Sequence, residues 1–199
     1  MSAPTTTEST GQIETAAGST PPAPASGAFA TVDTPNGPFT VVVDDELRVL
    51  ASGWTDDPAY LAALVHPTLR PATTHRSAAL AEITDAVSAY YSGDLDAPSR
   101  IAVIQRSGGA FLGQAWDALR KVDAGHPVTY TQFAELAGQP AAVRAAAAAC
   151  ARNAAALFVP CHRVKRGDGT LGGFRYGLPT KQWLLDFEAP RHTTAPSGD

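Results

Sequence analysis

The sequence is poor in sulfur: its 199 residues hold two cysteines and one methionine. Two thiols cannot supply the several bridges that hold small oxidised domains together. Cys150 and Cys161 also lack the close C-x-x-C spacing of a zinc ligand pair, and the five histidines are scattered, so a metal site has little support. A reduced thiol in a cytoplasmic chain is the expected state. Long apolar runs are missing too. The stretch from Ala145 to Val159 is interrupted by Cys150, Arg152 and Asn153 and falls short of the roughly 20 residues that span a bilayer, so no membrane segment is expected. The first 26 residues have neither the basic start nor the leucine-type core of a secretory signal. Rich in Ser, Thr, Ala, Pro and Gly, they read as a disordered tail.

A basic surplus is also absent, because the formal net charge is -4. The charge is nevertheless unevenly spread. Up to Ile104 four arginines face twelve carboxylates, whereas from Gln105 to Leu185 ten cations face four carboxylates. The second half is where a phosphate backbone could dock. A solvated protein surface would carry a similar pattern, so charge alone leaves both readings open.

What is present is an ordinary globular composition, 44% hydrophobic and 17% charged, enough for one good-sized domain or two small ones. Apolar runs at Phe29 to Val32, Phe39 to Val43 and Leu47 to Trp54 are separated by turn clusters at Asp33 to Pro38 and at Asp44-Asp45, which predicts a small antiparallel sheet. Leu80, Ile83, Val87 and Tyr90 recur at three- and four-residue steps, so Ser77 to Ser92 is expected to form an amphipathic helix on that sheet. Ile101 to Ile104 reads as a further strand. Beyond Arg106-Ser-Gly-Gly a mainly helical region begins. Phe111, Ala115 and Leu119 share one helical face. Thr129 and Gln132 form a capping-box pattern and Gly138 stands just past the predicted helix end. A further helix is expected from Ala141 to about Arg152, carried by alanines. Two helices joined by Gly-Gln-Pro make a helix-turn-helix plausible. The fold class is therefore α+β, with a division near residue 104.

The chemistry concentrates in Leu157-Phe-Val-Pro-Cys-His-Arg-Val164. It reads as an apolar strand ending in a cysteine, followed directly by histidine and arginine. A thiolate is the reactive form of cysteine, and a neighbouring His or Arg can lower a thiol pKa from about 8.5 toward neutrality. A cysteine simply buried in a core strand would look the same, so the residues alone leave the role of Cys161 open. Neighbouring strand residues point to opposite faces, so His162 need not touch Cys161 directly.

Pro160-Cys161-His162-Arg163-Val164 resembles the active-site signature of the O6-alkylguanine-DNA alkyltransferases. Family features recur at matching distances over roughly Phe111 to Glu188. The Thr34-Pro-Asn-Gly-Pro38 turn and the Ala89-Tyr-Tyr-Ser-Gly-Asp94 helix end resemble the family's N-terminal domain. The resemblance implies a ribonuclease H-like α/β domain over 27–104, a DNA-binding and active-site domain with a helix-turn-helix over 105–189, and a flexible tail over 190–199. It implies irreversible, once-only transfer of an alkyl group from O6-alkylguanine in DNA to a cysteine, with O4-alkylthymine as a further substrate. No cofactor or metal is implied. The partner would be double-stranded DNA, entered through the minor groove with the alkylated guanine flipped out, and the protein would act as a monomer.

By the same resemblance, Cys161 is the alkyl acceptor, and His162 with Glu188 forms a water-linked relay that draws off its proton. Tyr130 donates toward the departing guanine. Arg144, seventeen residues before Cys161, matches the finger that fills the gap in the duplex, and Asn153 matches a hinge asparagine. Ala145, Ala148 and Ala149 would face the groove, with Thr129 and Tyr130 also on the DNA side. Val164, Phe174 and Arg175 would wall the substrate pocket. Phe174 departs from the family pattern by standing where tyrosine is frequent, as does Lys165 in place of a small aliphatic residue. A non-catalytic lesion binder of the alkyltransferase-like type would carry another residue at Cys161. A fused regulator would want an N-terminal module with metal-bound cysteines, which Met1 to Ser26 does not contain.

Overall fold

A computed structural model describes residues 26–190. The tails expected over 1–26 and 190–199 lie outside the described residues, apart from Ser26 and Pro190. The first half is built on strands β1 (Ser26–Thr34), β2 (Gly37–Val43), β3 (Val49–Trp54) and β4 (Thr73–Arg76), in the order β3-β2-β1-β4. The β1–β2 hairpin closes as its turn residues dictate. Gly37 takes a positive φ of 100°, and the Thr34 hydroxyl donates to the Gly37 carbonyl at 2.6 Å. Between β2 and β3 the buried Asp44 carboxylate accepts from the Glu46 and Arg48 amides and from Arg48 Nε, which reverses the chain. The expectation of a purely antiparallel sheet is corrected, because β4 runs parallel to β1. Helix α1 (Pro58–Leu64) lies in the return path to β4, and its start is set by Asp57, whose carboxylate accepts from the Ala59 and Tyr60 amides.

Helix α2 (Ala81–Tyr91), entered through a 3₁₀ turn at Ala78–Leu80, buries Ile83, Ala86, Val87 and Tyr90. The strand expected over Ile101 to Ile104 is reduced to a single bridge, Val49 with Val103. That segment and a later one cover the free edge of β3. The Val49 amide donates to the Ala102 carbonyl at 2.8 Å, and the Ser52 amide to the Ala154 carbonyl at 2.9 Å. An edge strand is thereby sealed, by the end of the first half at Ala102 and by chain from the second half at Ala154.

The second half comprises α3 (Ala110–Leu119), α4 (Tyr130–Leu136), α5 (Val143–Arg152) and α6 (Leu178–Glu188), with a short parallel pair, β5 (Val128–Thr129) and β6 (Val164–Lys165). Both hydrogen bonds of the Thr129/Gln132 capping box are formed, and Gly138 takes a φ of 78° just beyond α4. The two halves share one core. Phe39 and Val41 of the sheet, Tyr90 of α2, Trp116 of α3, Phe133 of α4 and Leu184 of α6 belong to the same buried cluster. No helix among the described residues is long and apolar enough to cross a membrane.

Candidate active site

Cys161 does not end a strand, contrary to the sequence expectation. After α5 the chain turns at Leu157, whose φ is 73°, and Cys161–Arg163 forms a 3₁₀ turn leading into β6. A left-handed leucine is disfavoured, and it is held here by burial and by Asn153, which follows α5 directly. The Asn153 amide nitrogen donates to the Val159 carbonyl at 2.7 Å and to Cys161 Sγ at 3.2 Å. Burial pushes the Cys161 thiol up, against which the Asn153 donor acts first and the Lys181 ammonium second. Arg163, a neighbour that could have lowered the thiol pKa, turns the other way.

Arg163 and His162 both point at Glu188. The Glu188 carboxylate is buried and accepts four hydrogen bonds. Oε1 takes the Tyr90 hydroxyl at 2.8 Å, His162 Nε2 at 2.9 Å and Arg163 Nη2 at 2.8 Å, while Oε2 takes Arg163 Nε at 2.9 Å. Burial alone would raise this carboxyl, but the donation from His162 and Arg163 outweighs it and holds the group at about 2. Because Glu188 is ionised it can only accept, so Nε2 carries the imidazole proton. Burial pushes His162 below its ordinary range, which keeps the ring neutral. Nδ1 is then a bare lone pair, and it is the one buried side-chain nitrogen or oxygen without a partner among the described residues. A neutral imidazole oriented by a carboxylate is equipped to accept a proton.

Cys161 opens on a cavity of ≈ 390 Å³ whose walls include Tyr130, Cys150, Asn153, Phe174 and Arg175, a size suited to a small-molecule or base-sized group. Tyr130 opens α4, and burial pushes its phenol up to about 12, so it is protonated at neutral pH. Its hydroxyl rests against Gly172, where an added Cβ would lie 2.3 Å from the phenol oxygen. Phe174 packs on Trp54 and Tyr176, each with ring centroids 5.8 Å apart. Among the described residues no three His, Cys, Asp or Glu side chains are grouped to share a metal ion.

Comparison with known proteins gives this arrangement a context. The family model for the 6-O-methylguanine DNA methyltransferase DNA binding domain matches residues 110–190. The bifunctional transcriptional activator/DNA repair enzyme Ada of Escherichia coli is 54% identical over 82 residues, 41% of this chain but 23% of that protein. The chain thus spans about a quarter of Ada. The methylated-DNA–protein-cysteine methyltransferase of Salmonella typhimurium is 33% identical over 159 residues, covering 79% of this chain and 92% of the relative. This chain belongs to the methylated-DNA–protein-cysteine methyltransferase family. The likeness extends to structure: the Mycobacterium tuberculosis OGT solved in complex with DNA has a TM-score of 0.65 at 26% identity, covering 81% of this chain and 92% of that one.

Of the residues the sequence pointed to, Cys161, Asn153, Tyr130, Phe174 and Arg175 meet at this one cavity. His162 and Glu188 stand behind Cys161 as a buried pair, and Arg144 and Ala145 lie on the outer side of α5, where Arg144 is exposed. Thr129 caps α4 beside Lys165. Two expectations are corrected. Ala149 cannot face a groove, because it is fully buried and its carbonyl accepts from Trp116 Nε1 at 3.0 Å; Ala147, on the other side of α5, lines the cavity instead. Val164 does not line the cavity either, since its side chain is fully buried beside Val128 in the short parallel pair. Sequence reasoning missed four residues. Tyr90 reaches Glu188 from α2, Cys150 lines the cavity, Gln105 holds Asn153, and the buried Lys181 donates to the Val164 carbonyl at 2.6 Å. Only Lys181 carried a local signal, a lysine within an apolar helix.

Proposed function

We propose that this protein repairs DNA by moving an alkyl group from O6 of guanine onto Cys161 Sγ, once per molecule. The reading rests chiefly on a buried thiol that accepts an amide hydrogen and opens on a base-sized cavity, in a chain of this family. The thiol proton passes through a bridging water to His162 Nδ1, with Glu188 stabilising the imidazolium that results. The thiolate attacks the alkyl carbon; the new S–C bond forms as the C–O6 bond breaks. The electron pair leaves with guanine, which Tyr130 neutralises by donating its phenolic proton toward the ring. The thioether cannot revert, so the reaction is stoichiometric. O4-alkylthymine enters the same reading as a second substrate.

The partner is duplex DNA. The α4–α5 pair serves as a helix-turn-helix that presents Arg144, Ala145 and Ala148 to the minor groove, and the lesion reaches the cavity by leaving the stack. Arg106, Arg152 and Arg175 line a second cleft that adjoins the cavity at Arg175 and contains no carboxylate, which suits neighbouring phosphates. We further assign 27–104 to a ribonuclease H-like unit and 105–189 to the DNA-binding unit, in a cytoplasmic monomer.

Mass spectrometry tests the reaction. Incubated with duplex DNA containing O6-methylguanine, the protein gains a single methyl mass on the Cys161 peptide and stops there. Continued turnover, or methylation at Cys150 in place of Cys161, overturns the mechanism. Arg144→Ala slows transfer from the duplex by about tenfold or more, since an inserted side chain offsets unstacking of a few kcal/mol, while transfer from a free alkylated base stays near wild type. Equal losses on both substrates would remove Arg144 from the flipping step.

A further inference from the structure

Asn153 does more than end α5, and what holds it is Gln105, a residue in the segment between the sheet and α3. The Ala154 amide donates to Gln105 Oε1 at 3.0 Å, and Gln105 Nε2 donates to Asn153 Oδ1 at 3.1 Å. Asn153 Oδ1 also accepts from the Ala155 amide at 3.1 Å. Its nitrogen donates to the Val159 carbonyl and to Cys161 Sγ. The orientation of a side-chain amide is normally inferred from such contacts. Here both amides are fixed by backbone groups whose roles cannot reverse: the Ala154 and Ala155 N–H groups only donate, and the Val159 carbonyl only accepts. Reversing Asn153 would set its oxygen against a carbonyl oxygen and against the sulfur.

We propose that Gln105 is a positioning residue for the reaction of Cys161: it locks the Asn153 amide with its nitrogen on the sulfur, so that a donor meets the thiolate as it forms. The assignment rests on Cys161 being the reacting thiol. A hydrogen bond to the charged form favours that form, and among the described residues the Asn153 amide is the one side-chain donor within hydrogen-bond distance of the sulfur. Remove the Gln105 donor and the Asn153 amide keeps its two backbone partners, the Ala155 N–H on Oδ1 and the Val159 carbonyl on its nitrogen, but loses its one side-chain hold, and its nitrogen is fixed less firmly on Sγ. The other titratable or charged groups facing the sulfur are Tyr130 on α4, Cys150 on α5, Arg175 and Tyr176 before α6, Lys181 on α6 and His162 beside it. None of them is altered by a change at Gln105.

The test follows labelling of Cys161 by iodoacetamide, read by peptide mass across the pH range in which thiols titrate, in wild type, Gln105→Glu and Gln105→Met. Glutamate keeps an acceptor for the Ala154 amide but opposes an oxygen to Asn153 Oδ1 and adds a negative charge that by itself disfavours the thiolate; methionine keeps the length, adds no charge and drops both hydrogen bonds, so its shift is the one that decides the assignment. In both, the midpoint of the profile moves to higher pH. With glutamate the move is about one unit, so labelling below the midpoint slows about tenfold, while the plateau at high pH is retained. Methionine gives a smaller move in the same direction. Unchanged midpoints, a uniform loss at every pH, or failure of both variants to fold would assign Gln105 to stability alone and overturn the proposal. The assay contains no DNA. If wild type takes no methyl from O6-methylguanine while the variants still shift the profile, the proposed function fails and only the hold of Gln105 on the Cys161 thiolate stands; a methyl taken up with no shift in the variants overturns the role of Gln105 alone.

Discussion

Glu188→Gln is expected to abolish most of the methyl transfer and to remove about 3–5 kcal/mol of stability, the range found when one partner of a buried ion pair is deleted. Glu188 is the common acceptor for three side chains from two parts of the fold: Tyr90 from α2, and His162 and Arg163 from the active-site turn. Glutamine has one acceptor oxygen where the carboxylate has two, and its NH₂ group must point at a donor. Arg163 retains one firm partner, the Val122 carbonyl at 2.6 Å, and is left a buried guanidinium with no counter-charge. His162 loses the carboxylate that fixes its Nε2 proton and would stabilise its charged form. Urea denaturation and single-turnover transfer measure the two losses. A variant within about 1 kcal/mol of wild type that still transfers would show the network is dispensable. Tyr90→Phe, which leaves both cationic donors in place, is the milder member of the series.

The same carboxylate sets the acid limit of the fold. Glu188 titrates near 2 in the folded protein against 4.5 in an unfolded chain. Its folded value is depressed, so its stabilisation is complete above pH 4.5 and is lost as pH falls toward 2. His162 works in the same direction. Burial depresses its folded value below 6.5, so the unfolded chain takes up a proton first and stability begins to decline as pH drops through 6.5. Denaturation midpoints for wild type should therefore decline below pH 6.5 and decline further below 4.5. In Glu188→Gln the second, more acidic part of that dependence disappears.

How much of this was legible depended on the range of the interaction. Thr34-Pro-Asn-Gly-Pro38 and the Thr129/Gln132 box act within four residues, and both turned out as read. The phase of α5 was not readable. In a run of alanines every position has the same side chain, so it is packing on α3, with Trp116, and on α4 that decides that Ala146 and Ala149 go in while Arg144 and Ala147 stay out. The direction of Arg163 was unreadable for a related reason. Sequence adjacency to Cys161 says nothing of direction when the backbone is a 3₁₀ turn, and the pull of a buried carboxylate 25 residues away decides it. Tyr90 with Glu188 and Gln105 with Asn153 are 98 and 48 residues apart; neither pair leaves a pattern in one sequence. Asp57-Pro58, by contrast, was a readable helix start that passed unnoticed.

Methylation of Cys161 is expected to lower the melting temperature by roughly 5–15 °C, because the product cannot keep the packing of the reactant. Cys161 is buried, and its sulfur sits 3.2 Å from Asn153 Nδ2. A methyl group on that sulfur turns an acceptor that can be charged into a neutral thioether, which accepts weakly. It also adds a carbon beside the amide unless the carbon points wholly into the cavity. Asn153 cannot yield freely, since Gln105, Ala155 and Val159 hold its other atoms. The strain therefore falls on the turn from Asn153 to Cys161, where Leu157 already holds a φ of 73°. That turn lies against β3, through the Ser52 hydroxyl on the Ala156 carbonyl at 2.7 Å, so loosening it exposes the sheet edge that residues 154–156 cover. Overpacking of about 1–3 kcal/mol together with a lost hydrogen bond of about 1 kcal/mol sets the range. Calorimetry on protein before and after reaction with methylated DNA, the DNA then removed, measures it. An unchanged melting temperature would mean that the methyl group lies entirely in the cavity and that Asn153 is not displaced. A bulkier alkyl group gives a larger drop if the turn is the weak point and an equal one if the cavity absorbs the excess.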